Sequence, residues 1–259
     1  MLKIYLRYWL GVLLTIPLLP ILYVQGKRVK ANVPSLPEAT GTDGLVRSNN
    51  AEETWKLLVI GESTMAGVGV KTHEEGFSGT LARELSQLME KNIEWKVFAK
   101  SGYTAREVRE KLIPSIDEAT CPDLIVIGLG GNDSFTLNTP WGWKKQMSLL
   151  VEEIRNRFPN TAIMIGSLPP IKEFAAFTPL MKWVIGNLCE ILGETLKVAV
   201  QNQSQVAYHH QVITFEQWKR NFNIEAKDED FFSDGVHPSK LTYQTMARDM
   251  AHFINEQLP

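Results

Sequence analysis

Four short segments hold residue types that could together perform acyl transfer. Gly61-Glu62-Ser63-Thr64-Met65 offers a hydroxyl just behind a glycine turn. Lys100-Ser101-Gly102-Tyr103 offers a glycine whose bare backbone N–H can come close to a ligand. Gly128-Leu129-Gly130-Gly131-Asn132-Asp133 turns sharply on its glycines and presents Asn132, whose amide can donate to a developing oxyanion as a backbone N–H can. Ser233-Asp234-Gly235-Val236-His237-Pro238 sets an aspartate three residues before a histidine, with glycine between and proline after. There the carboxylate can meet the ring, fix its tautomer and stabilise the imidazolium.

Each segment alone has a plainer reading. Ser63 can cap the next helix, Gly102 can serve a turn, and Asn132 can close an Asx turn. Isolated histidines are mostly surface or core residues. The first segment is also not the G-x-S-x-G nucleophile elbow, because Met65 holds the fifth position. Together the segments supply a hydroxyl nucleophile, a base with an orienting acid, and three possible oxyanion donors, the set of roles acyl transfer requires.

The surrounding pattern puts these segments where a ligand would bind. Short apolar runs at 56–60, 93–99, 123–127, 162–165 and 206–208 read as strands, the third near-continuously apolar as parallel strands tend to be. Helical spacing runs through 77–91, 104–118, 141–158, 180–201 and 239–256. Such alternation predicts an α/β domain, its central parallel five-stranded sheet covered on both faces through right-handed crossovers. Ligands of such sheets bind beyond the carboxyl ends of the strands. The first three segments follow the first three strands, and the fourth precedes the last helix.

At these residues the chain resembles the SGNH (GDSL-like) hydrolases, in particular their bacterial esterase and lysophospholipase-like branch. Gly61-Glu62-Ser63 is similar to the family's first block, usually Gly-Asp-Ser. Gly102 resembles the glycine of the second, Gly130-Gly131-Asn132-Asp133 the third, and Asp234-Gly235-Val236-His237 the Asp-x-x-His of the fifth. The resemblance implies a three-layer flavodoxin-like fold and hydrolysis of carboxylic esters without metal or organic cofactor. It implies a triad of Ser63, Asp234 and His237, and an oxyanion hole from the Ser63 and Gly102 N–H groups with the Asn132 side chain. Glu62 departs from the family's aspartate, keeping the charge but lengthening the reach.

Other features are secondary. Trp141, Trp143, Ile171, Phe174, Phe177, Leu180, Met181, Trp183 and Val184 would suit either an acyl-chain groove or, for most of them, ordinary packing. His209-His210 lack acidic ligands placed near them and read as surface histidines; Asp228-Glu229-Asp230 reads as a solvated loop. Cys121 and Cys189 have no metal or dithiol spacing. With a net charge of -2 over 259 residues and no basic run in the body of the chain, no nucleic-acid partner is expected. The expected partners are a small-molecule or lipid ester and a membrane.

The membrane expectation comes from residues 1–30. Residues 10–24 read LGVLLTIPLLPILYV, and counted from Ile4 the apolar stretch approaches the roughly 20 residues that cross a bilayer. Val24-Gln25-Gly26 runs straight into Lys27, Arg28 and Lys30, a poor cleavage site. An uncleaved single anchor is therefore expected, with secretion after signal cleavage as the alternative. Basic residues on both flanks pull its orientation in opposite directions. Residues 31–54, with their prolines and glycines, read as a linker, and 55–259 as the catalytic domain. The alternatives in function are a carbohydrate or cell-wall O-acetyl esterase, an acyltransferase on the same triad, or an inactive binding module on the same fold.

Overall fold

The computed structural model describes residues 1–49, 51–211 and 214–258; Asn50, within the expected linker, and the terminal Pro259 lie outside them. Its sheet has the order β1-β3-β2-β4-β5-β6. Strands β2 (Thr54–Gly61), β3 (Asn92–Ala99), β4 (Leu124–Gly128), β5 (Ala162–Ile165) and β6 (Val206–Tyr208) are parallel. They are the five strands expected from the sequence. A sixth, β1 (Asp43–Val46), pairs antiparallel to the outer edge of β3.

The strand order makes the site possible. The chain passes from β2 to β3 on one side, then returns to β4 on the other side of β2. At such a reversal the connections leave the sheet in opposite directions and open a crevice at the strands' carboxyl ends. Gly61 is in register with both Ala99 and Gly128, so β2, β3 and β4 end level with one another.

Alternating side chains build the two outer layers. Leu58, Ile60, Ile125, Ile127, Ile163 and Ile165 pack toward α6 (Pro140–Arg157) and α7 (Pro179–Val200). Leu57, Val59, Val126 and Met164 pack toward α3 (Phe77–Met89) and α9 (Lys240–Gln257).

Three sequence expectations need correction. The helix expected over 104–118 is regular only for α4 (Ala105–Glu107); it widens into a π turn at Val108–Leu112 and tightens to a 3-10 turn at Ile113–Ser115, where Pro114 cannot supply an N–H. The short α8 (Phe215–Phe222) was not legible as an element; it carries Phe215 and Trp218 into a small separate core with Phe231. The linker reading fails for residues 38–46. Besides forming β1, this segment bonds Ala39 N–H to the Ala66 carbonyl and receives the His73 N–H at Thr40.

The N-terminal segment is helical as α1 (Leu2–Thr15) and α2 (Leu19–Asn32), joined by a 3-10 turn at Ile16–Leu18 beside Pro17. It is long and apolar enough to cross a membrane, with a mean hydropathy of 1.7 over an 18-residue stretch. It lies antiparallel to α7: Arg7 pairs with Glu194, and Thr178 Oγ donates to Gln25 Oε1 at 2.6 Å. Trp141 packs against Tyr8 and Trp9 with ring centroids 5.3 and 5.9 Å away.

Candidate active site

The serine turn is shaped by small residues at the end of β2. A Cβ on Gly61 would lie 2.2 Å from the Gly128 carbonyl oxygen and 2.5 Å from the Met65 side chain. A Cβ on Gly128 would strike the same methionine at 2.5 Å. Met65 is thus the buried plug on which the turn folds, which explains why the fifth position is not the glycine of a nucleophile elbow. Ala66 N–H donates to the Glu62 carbonyl and Val68 N–H to that of Ser63, coiling the chain tightly and leaving Ser63 half-buried at the crevice.

Glu62 uses its extra methylene. Its carboxylate crosses from the β2 loop to the β4 loop, where Oε1 accepts the Gly131 N–H at 2.6 Å and Oε2 accepts the Asn132 N–H at 2.9 Å. The side chain is buried, with the residue 5% exposed. Burial pushes its carboxyl up to about 8, against the downward pull of the two N–H donors and with a further upward push from Asp133. The departure from aspartate therefore creates a clamp on the residue proposed as oxyanion donor.

This gives a pH prediction. Glu62 keeps its proton in the folded state where the unfolded chain has lost it, so its contribution to stability declines as pH rises from the ordinary carboxyl value toward about 8. Glu62→Gln removes that titration. Chemical denaturation at pH 5 and pH 8 is expected to show the wild-type advantage over Glu62→Gln shrinking as pH rises; an advantage that grows with pH would show that the clamp is ionised throughout.

Asn132 is held from both ends. Its Nδ2 donates to the Tyr103 carbonyl at 3.0 Å, tying the β4 loop to the β3 loop. An amide has two N–H groups, and this bond uses one of them. Asp133 is fully buried below it, accepting the Ala105 N–H at 2.9 Å and an Asn138 amide N–H at 2.9 Å. Asp133 thereby fixes the start of α4 against the Asn132 loop, a role that the sequence reading missed. No local signal marks it, since its partner Ala105 lies 28 residues away.

Gly102 has φ +84, yet a Cβ there would meet nothing within 4 Å. Its requirement is the left-handed backbone and not close packing. The neighbouring Ser101 N–H donates to Glu38 at 2.7 Å, and Lys100 pairs with the same carboxylate at 3.0 Å. The segment read as linker thus braces the second site loop.

The Asp234–His237 loop is closed by its own hydrogen bonds. Asp234 Oδ2 lies 2.7 Å from His237 Nδ1, while Oδ1 accepts the Val236 and His237 N–H groups at 2.9 and 2.7 Å. The Asp234 side chain is wholly buried and the His237 side chain 22% exposed, so one ring edge still reaches solvent. Gly235 takes φ +85, which lets the loop fold the carboxylate back onto the ring.

This loop abuts the serine turn. Ser233 Oγ donates to the Gly69 carbonyl at 3.1 Å, and Tyr243 of α9 donates to the Val68 carbonyl at 2.8 Å. A Cβ on Gly69 would strike Ser233 Oγ at 2.6 Å and the Pro238 carbonyl at 2.7 Å. Among the described residues, neither Ser63 Oγ nor the outer ring nitrogen of His237 has a hydrogen-bond partner.

The aromatic residues divide. Trp143 is fully buried, donating to the Leu192 carbonyl at 3.0 Å, and Ile171, Phe174, Phe177 and Met181 are core. Trp141 and Trp183 are exposed. His209 does have an acidic neighbour, Asp249 at 3.4 Å, which the sequence reading missed because the two lie on different elements. Among the described residues no group of three or more His, Cys, Asp or Glu side chains is arranged for a metal.

Residues 59–245 match the GDSL-like lipase/acylhydrolase family. The chain belongs to that family. Membership places it among ester-hydrolysing enzymes, and the matched span contains all four site loops. A GDSL esterase/lipase of Arabidopsis thaliana is 25% identical over 217 residues, covering 78% of this chain and 86% of the relative. The lipase/acylhydrolase from Enterococcus faecalis superposes with a TM-score of 0.55 at 16% identity, over 79% of this chain and 97% of that one. The family 3 carbohydrate esterase of Clostridium thermocellum gives 0.54 at 16% identity, over 78% and 100%. At such identities these two structures speak to the fold: α/β with a mostly parallel sheet, as the sequence led one to expect.

Proposed function

We propose that this enzyme cleaves carboxylic esters through an acyl-enzyme on Ser63, with His237 as general base and Asp234 as its orienting acid. The observation that carries the reading is the Asp234–His237 pair, closed at 2.7 Å on a loop seated directly against the serine turn. His237 takes the Ser63 proton as the hydroxyl attacks the ester carbonyl. The tetrahedral oxyanion is received by the Ser63 and Gly102 N–H groups and the free amide N–H of Asn132. His237 then protonates the leaving alcohol, and water activated by the same ring releases the acid.

The substrate proposed is a small-molecule or lipid ester, with a lysophospholipid as one form. A panel of p-nitrophenyl esters from acetyl to palmitoyl, run beside lysophosphatidylcholine and acetylated xylan, tests this. Turnover of xylan alone would favour a carbohydrate O-acetyl esterase; turnover of none would favour a binding module. The chemistry needs no ion or organic cofactor, so full turnover is expected in EDTA. Loss in EDTA restored by a divalent metal would overturn that.

The N-terminal helix is proposed to remain attached and to hold the enzyme at a membrane. Full-length protein should fractionate with membranes and carry an intact N-terminus on sequencing. A mature chain beginning after Gly26 in soluble fractions would make the segment a signal peptide.

A further inference from the structure

Between the N-terminal helix and α7 lies a cavity of about 380 Å³, within the ~300–1,000 Å³ range of small-ligand pockets. Gly11, Val12, Leu137, Trp183, Leu188 and Ile191 contribute to its wall. The one charged side chain at its edge, Arg7, is paired with Glu194. Tyr8, Thr15 and Asn187 add polar atoms, but the wall is mostly apolar and suits an unbranched apolar ligand.

Its position relates it to the catalytic edge. Leu137 follows α5 (Gly131–Phe135), the short helix that begins at the clamped Gly131 and Asn132. That wall residue comes five positions after the proposed oxyanion donor Asn132 in the chain. Leu188 lines the cavity while the adjacent Cys189 is bonded to the Pro169 carbonyl in the loop after β5. The opposite side of the N-terminal helix is exposed and apolar through Leu6, Leu13 and Ile21, a face suited to lipid.

We infer that this cavity holds the acyl tail of a long-chain ester drawn from a bilayer, so that the N-terminal helix forms one wall of the substrate site as well as an attachment. The inference deepens the ester-hydrolase reading and rests on it for the chemistry. For an ester presented from water, each methylene moved into such a site is worth about fourfold in binding, so with dispersed p-nitrophenyl esters tail length becomes a strong determinant of kcat/KM.

Gly11 supplies the test, because a Cβ there would meet nothing within 4 Å and its backbone conformation accepts any residue. In the full-length chain, Gly11→Trp is expected to lower the palmitoyl-to-acetyl ratio of kcat/KM at least tenfold, while Gly11→Ala leaves that ratio within about twofold. Val184→Trp, which fills the cavity from α7, should act like Gly11→Trp and guards against a disturbed helix. An unchanged ratio in both tryptophan variants overturns the proposal, whatever the absolute rates.

A binding readout separates this from the catalytic reading. Palmitoyl lysophosphatidylcholine with a mid-chain diazirine, photolysed on full-length Ser63→Ala, should label α7 between Trp183 and Ile191, and Gly11→Trp should abolish that label. Label confined to Leu6 and Leu13 and unaffected by Gly11→Trp would mean only bilayer contact, and would reject the cavity. Hydrolysis of no ester at any length, with the α7 label present, would reject the enzyme reading and keep the tail site.

Discussion

Ser63→Ala is expected to lower kcat on p-nitrophenyl butyrate by on the order of 10⁴–10⁶, with the thermal unfolding midpoint nearly unchanged. The size follows from what the hydroxyl does. Without it no acyl-enzyme forms, and the remaining groups can only bind the ester and polarise its carbonyl. Such a loss corresponds to roughly 5–8 kcal/mol of transition-state stabilisation. The fold should tolerate the change because Ser63 is half-buried and, among the described residues, its hydroxyl bonds to no protein group. What shapes the turn is Gly61, Gly128 and the Met65 plug, none of which is altered. Turnover within tenfold of wild type would sink the assignment of the nucleophile.

Asn132→Ala is the second large effect. One oxyanion donor is worth roughly 10²–10³ in rate, because it meets charge that exists only in the transition state. The loss should fall on kcat with KM changed little. The same substitution also removes the bond from Nδ2 to the Tyr103 carbonyl, a stability cost of about 1 kcal/mol. That cost is readable separately by denaturation, and Asn132→Asp should not restore the rate, since a carboxylate cannot donate. A raised KM with unchanged kcat would make Asn132 a binding residue instead.

The two predictions draw on different grades of sequence information. Ser63, Gly102, Asn132, Asp234 and His237 stand out in the sequence as candidates because each sits in a short segment at the end of a recognisable strand or just before a helix. The period-2 and apolar runs that mark β2 through β6 come from burial against two helical layers, so local text reports them well. β1 was hidden because a four-residue edge strand is half solvated and carries a glycine and an aspartate, residues that locally favour turns. Its pairing with β3 is decided by partners some fifty residues away. The irregular helix after Gly102 was smoothed over because helical spacing does not distinguish α from π or 3-10 turns.

Glu62 and Asp133 mark the boundary most sharply. In sequence, Glu62 is only a departure from a family block and Asp133 only a neighbour of Asn132. In the fold, one carboxylate clamps Gly131 and Asn132 across the crevice and the other fixes the start of α4. Neither bond can be read locally, since its partners lie 69, 70 and 28 residues away. The N-terminal helix divides likewise. Its apolar length belongs to its own residues, but its alignment along α7 through Arg7, Gln25 and Trp141 depends on a surface assembled from the rest of the chain. By itself, then, the sequence determined the chemical groups and the sheet that carries them, because those follow from residue type and local periodicity. The tertiary structure alone decided how the loops are locked together and what the first helix covers, because strand order and side-chain reach bring distant residues within hydrogen-bonding distance.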